Sequence, residues 1–228
     1  MVGFALVHSP FLGPACWRRV AAALTDQGAA AIATDYGGVA EEPWYEEMAR
    51  QIAGGVASIP SAFLVLHSAA GALAPAIVEK LAPEHLSGLI FVDAILPHPG
   101  RSWLETAPAP LADHLRTVAV EDRLPPWNRW FPRDPTEKLI PDAAERVAFA
   151  SDLPNAPAAY LHARAPDLES WRSLPASYVR LSRAYDDEAE TAARMGWMIT
   201  REESDHLAMI TRPDTVAATL LAVTRRVA

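Results

Sequence analysis

The sequence predicts an α/β fold: one sheet of about six mostly parallel strands with helices on both faces. Three observations lead there. Apolar runs such as "AFLVLH" and "SGLIFVDA" lack polar alternation, which suits strands buried on both faces of a parallel sheet. Strand-like runs alternate with helical segments over short links, the order that gives right-handed βαβ units. The alternation breaks once, between Pro97 and Pro175, where most of the chain's 20 prolines lie.

Taken in order, "GFALVH" is the first strand, and "GPACWRRVAAALTDQG" a helix with Ala15, Val20, Ala23 and Leu24 on roughly one face and Gly28 as its stop. "AAIATD" is the second strand. "PWYEEMARQIAGGV" is a helix with Pro43 in its first turn, where proline is tolerated. "AFLVLH" is the third strand, "AAGALAPAIVEKLAP" a helix and "SGLIFVDA" the fourth strand. The proline-rich stretch carries helical pieces, "APLADHLRTVA" and "DAAERVAFASDL", and four tryptophans, Trp103, Trp127, Trp130 and Trp171. After it come the strand "ASYVRLS", the helix "DDEAETAARMG", the strand "WMITRE", the loop "ESDHLAMI" and a last helix, "RPDTVAATLLAVTRR". Residues 1–96 and 176–228 therefore read as one core, and 97–175 as a helical, Pro/Trp-rich insertion packed over an edge of the sheet, either an ordinary subdomain or a cover for substrate.

Composition narrows the function. The chain has 228 residues, half of them hydrophobic, enough for one compact unit with a sizeable core. Its formal charge is -8, and no basic run occurs, so neither nucleic acid nor an anionic membrane is an expected partner. No apolar stretch approaches the roughly 20 residues of a membrane span. "MVGFALVHSP" lacks the basic flank and cleavage site of a signal peptide. Cys16 is the single cysteine, so no internal disulfide can form and a reducing cytoplasm is the expected compartment. With no zinc-like Cys/His spacing and no Gly-rich phosphate loop, neither a metal nor another cofactor is expected. A small-molecule substrate is; the oligomeric state has no signature.

Two serines follow strand-like runs. In "LVLHSAAGALAPAI", Ser68 ends a strand and a helix starts at once, the setting of a nucleophile elbow, where the turn lifts Oγ above the sheet edge. Such a turn wants small residues two before and two after the serine. Ala70 fits; Leu66 does not. The bland alternative for Ser68 is a helix N-cap. Ser9, in "HSPFLGPACW", has no helix directly after it and reads as a polar loop residue.

These stretches resemble the alpha/beta hydrolases, in particular the small cofactor-free esterases and hydroxynitrile lyases. "LVHSPFLGPACWRRVAAALTDQG" is similar to their first strand, oxyanion loop and first helix, "LVLHSAAG" to their elbow, and "SDHLAMITRPDTVAATL" to their histidine loop and terminal helix. The resemblance covers the core at both ends; the insertion matches in position. It implies Ser68 as nucleophile and His206 as general base. His206 also follows the last strand, on the sheet edge where ligand sites of open α/β sheets gather. The acid is expected in "YVRLSRAYDDEAE", with Asp186 preferred and Asp93, at the end of "LIFVDA", in reserve.

Acyl transfer needs an oxyanion hole, usually two backbone N–H groups. Ala69, after the nucleophile, supplies one. By the resemblance the second donor falls on Pro10, which has no N–H. Three readings follow: Phe11 N–H or the Ser9 hydroxyl donates instead; the chemistry avoids a strong oxyanion, as a lyase or cyclase would; or the site only binds. Phe11, Leu12, Trp103, Trp127, Trp130 and Phe131 are candidate walls of an apolar pocket for a small apolar or aromatic ester or lactone, though the same aromatics could simply hold the insertion to the core.

Overall fold

The computed structural model describes residues 2–37 and 42–227. Six strands form one all-parallel sheet: β1 (Gly3–Val7), β2 (Ala30–Ala33), β3 (Ala62–Ser68), β4 (Leu86–Ala94), β5 (Ala176–Arg180) and β6 (Met198–Arg201), in spatial order β2-β1-β3-β4-β5-β6. Helices α1 (Ala15–Asp26), α2 (Trp44–Val56) and α3 (Ala74–Glu79) link the first four strands. Between β4 and β5 run four short helices: α4 (Trp103–Thr106), α5 (Ala109–Val118), α6 (Thr136–Leu139) and α7 (Ala143–Ser151). The chain ends with α8 (Asp186–Arg194), α9 (Ala208–Thr211) and α10 (Pro213–Val227).

Strand residues alternate between two cores, as the period of two requires. Ala5, Val7, Leu64, Leu66, Phe91 and Tyr178 join α2, α3 and the segment between β4 and β5. Phe4, Leu6, Val65, Ile90, Val92 and Val179 face the opposite way, onto α1, α9 and α10. This is the three-layer arrangement expected. The central strands β1, β3 and β4 are buried throughout or nearly so, which is why their middle stretches are apolar.

Two expectations shift in detail. The backbone after Ser68 first forms a 3-10 turn, Ala69–Leu73, before α3 begins at Ala74. The stretch read as the loop "ESDHLAMI" includes α9, whose Ala208, Met209 and Ile210 are buried.

Candidate active site

The C-terminal edge of the sheet gathers the polar residues of interest. Ser68 closes β3 with φ 57° and ψ -128°, a region a non-glycine residue rarely occupies. The β3–β4 register slips between His67 and Ser68, so the strand bends where the serine leaves the sheet. Gly71 makes the bend possible: a Cβ there would lie 1.9 Å from the Ile95 carbonyl oxygen. Leu66, the bulky residue in the elbow, is fully buried in the core on the α2/α3 face and pairs with Val7 and Phe91 across the sheet.

His206 enters from the loop after β6. Its Nδ1 lies 3.2 Å from Asp93 Oδ2. The structure thus brings Asp93 to the histidine, in place of the preferred Asp186. Asp186 falls in the first turn of α8 and pairs with the buried Arg180, Nε to Oδ1 at 3.0 Å. The physical reason is the shortness of the connection after β5, a single 3-10 turn at Arg183–Tyr185, which leads straight into α8. Asp93 also has positive φ, 40°, and no exposed surface. Its carboxylate is saturated: Oδ1 accepts Leu181 N–H at 2.6 Å and Ser182 N–H at 3.0 Å, and Oδ2 accepts the Ser182 hydroxyl at 2.6 Å. A buried carboxylate held by that many donors orients an imidazole without moving. With Nδ1–H donating to Asp93, His206 Nε2 is left as the proton acceptor.

Two residues that sequence reasoning did not single out complete the cluster. His67 is fully buried, and burial, with His206 close by, holds its pKa well below the ordinary histidine value. As a neutral ring it donates from Nε2 to the His206 carbonyl oxygen at 3.0 Å, fixing the loop that carries His206. Tyr185 stacks on His206, centroids 4.9 Å apart and planes at 11°. Its hydroxyl is 3.3 Å from Ser68 Oγ, and no hydrogen bond joins Ser68 to His206. Burial raises the Tyr185 pKa, so the phenol stays protonated. The signal for Tyr185 in the sequence is its place in "SRAYDDE", directly before the two aspartates.

The first loop is closed on itself. Phe11 N–H donates to Ser9 Oγ at 3.3 Å, and Leu12 N–H to the Ser9 carbonyl at 2.9 Å. The Ser9 oxygen is therefore an acceptor for Phe11, and its own proton is free to point elsewhere. Ala69 follows Ser68 and is buried. Of the expected pocket walls, Phe11 packs edge-on against Trp130 and Trp103, at 4.8 and 6.0 Å between centroids. All three are buried, as is Leu12. Trp127 lies where the two cores meet. Phe131 does not join them: it is 39% exposed and stacks on His114.

A model of the alpha/beta hydrolase family matches residues 4–219. The chain belongs to the alpha/beta hydrolase family. Solved structures of similar shape include an extracellular alpha/beta-hydrolase from a Paenibacillus species (TM-score 0.79, 19% identity, covering 97% of this chain and 98% of the other). Tomato methylketone synthase I, complexed with 2-tridecanone, is another (TM-score 0.69, 19% identity, 99% and 98%). A third is polyneuridine aldehyde esterase (TM-score 0.72, 20% identity, 98% and 99%). At such identities the likeness is one of fold. No curated protein matches in sequence. Among the described residues of this alpha/beta hydrolase, no helix is long and apolar enough to cross a membrane, and no group of three or more His, Cys, Asp or Glu side chains could hold a metal ion.

Proposed function

We propose that the protein is a cofactor-independent serine esterase acting on a small, largely apolar or aromatic carboxylic ester or lactone. The observation that carries this reading is Ser68 in a strained turn at the end of β3, on the same sheet edge as a His206 oriented by buried Asp93. Rotation about χ1 takes Ser68 Oγ from the Tyr185 hydroxyl toward the imidazole. Oγ attacks the ester carbonyl while His206 Nε2 takes its proton, and the proton then passes to the leaving alkoxide. Water, deprotonated by His206, attacks the acyl-serine and releases the acid. Ala69 N–H and the Ser9 hydroxyl serve the oxyanion, Ser9 being held in place by Phe11 N–H. Residues 97–175 cover the site, a role supported by the packing of Trp103 and Trp130 on Phe11.

Intact-mass analysis after fluorophosphonate treatment tests this. One adduct on the wild type and none on Ser68→Ala is the expected result; an unlabelled but folded wild type overturns it.

A second reading is favoured by one feature: the hydrogen bond of Ser68 goes to Tyr185 rather than to His206. In a lyase or cyclase, His206 would move protons on substrate while Ser68 and Tyr185 only position it. Substantial turnover retained by Ser68→Ala would choose that reading.

A further inference from the structure

The ladder between β4 and β5 ends where Val92 faces Val179. Past that point the chain of β5 turns, bringing the Leu181 and Ser182 N–H groups to Asp93. Ala94, still in β4, is fully buried and has no strand partner on that side. Its backbone groups need partners from elsewhere. The side chain of Tyr178, itself without exposed surface, supplies both. The Ala94 N–H donates to the Tyr178 hydroxyl oxygen at 3.0 Å, and the hydroxyl donates to the Ala94 carbonyl oxygen at 2.8 Å. A hydroxyl that accepts once and donates once fits that pair of bonds. Burial, reinforced by the nearby Asp93 carboxylate, raises the Tyr178 pKa, so the phenol keeps the proton it donates.

Ala94 is the joint between the parts of the site. It follows Asp93, whose φ of 40° is one that side chains disfavour. It also stands opposite Ser68 in the β3–β4 ladder, and the N–H of Ile95, next in the chain, donates to the Ser68 carbonyl at 3.1 Å. Without the Tyr178 hydroxyl, both backbone groups of Ala94 would be buried and unpaired, and the peptide planes would turn to find other partners. Such a turn moves the neighbouring Asp93 carboxylate, which meets His206 Nδ1 at 3.2 Å.

We propose that Tyr178 is a positioning residue for the reaction: its hydroxyl grips the backbone of Ala94 and so keeps Asp93 aligned with His206. It acts through Asp93 and not on the reacting atoms. The inference rests on the reading of Ser68 as nucleophile and His206 as its base.

Tyr178→Phe removes one oxygen atom and is read in two ways. Nitrogen-15 NMR of the His206 ring shows which nitrogen carries the proton. The wild type holds it on Nδ1, facing Asp93, and Tyr178→Phe gives a mixture of the two tautomers. Fluorophosphonate labelling of Ser68 shows the consequence. Tyr178→Phe slows it about ten- to a hundred-fold in the wild-type background. Where Asp93→Asn has already removed the carboxylate, the same change alters the rate by less than about two-fold. Should Tyr178→Phe fail to fold, Tyr178→4-fluorophenylalanine takes its place, filling the space of the hydroxyl with no proton to donate. An unchanged tautomer, an unchanged labelling rate, or equal slowing in both backgrounds, as a purely structural loss would give, each overturns the proposal. A wild type that takes no label overturns the reading of Ser68 instead, and the tautomer then still decides whether Tyr178 holds Asp93 to His206.

Discussion

The phenol of Tyr185 reaches over the His206 ring to Ser68, its hydroxyl 3.3 Å from Oγ and its ring nearly parallel to the imidazole. Where Ser68 is the donor of that bond, it must release it before its proton can pass to His206. Tyr185→Phe keeps the stack and removes the hydroxyl, so the fluorophosphonate labelling rate should rise about two- to ten-fold while stability changes by about 1 kcal/mol or less. A fall in labelling would mean that the hydroxyl takes part in the reaction.

Asp93 and Asp186 separate cleanly by substitution. Asp93→Asn should lower kcat on a nitrophenyl ester by about 10⁴-fold, since the imidazole loses its orienting carboxylate. It should also lower the melting temperature, because the buried contacts to Leu181 and Ser182 weaken. Asp186→Asn leaves kcat within about two-fold, its partner Arg180 keeping a second acidic neighbour in Glu203.

The first loop makes a prediction from its hydroxyl. If Ser9 replaces the donor that Pro10 cannot provide, Ser9→Ala should reduce kcat by about 100-fold with little change in KM. Steady-state kinetics on the two proteins checks it.

His8 and His67 are buried with pKa values pushed down by desolvation. Both are neutral when folded and take up a proton on unfolding below about pH 6.5, so the unfolded chain binds more protons and stability falls as pH falls. Between pH 6.5 and 5, each contributes a slope of up to about 1.4 kcal/mol per pH unit. Urea midpoints across that window should drop steeply in the wild type and less so in His67→Gln, whose amide can still donate to the His206 carbonyl.

The Gly71→Ala variant sets a methyl group against the Ile95 carbonyl, a backbone atom that cannot step aside. A loss of about 1–3 kcal/mol in chemical denaturation is expected, together with slower labelling of Ser68.

The strands were readable because burial on both sheet faces leaves runs such as "FLVL" with no polar residue, and the elbow because it couples a strand end to small residues. The carboxylate that meets His206 was not readable with the same clarity. Its identity depends on β4 curling at Asp93 and on two N–H groups 88 and 89 residues further along pointing at its carboxylate. Asp186 had the better local position and is drawn off by Arg180, whose side chain is buried between α8 and β6. Tyr185 and His67 escaped for the same reason: each acts through a neighbour distant in sequence, and neither has a local pattern of its own.

One carboxylate fastens three pieces of chain that are far apart in sequence: the end of β4, the turn after β5 and the loop of His206. Heat inactivation should therefore begin as a local event. When the outer strand pair β5–β6 peels from the sheet, the clasp at Asp93 opens and turnover stops while β1, β3 and β4 are still intact. Lost activity would then precede the cooperative melt, and cooling before that melt would restore it.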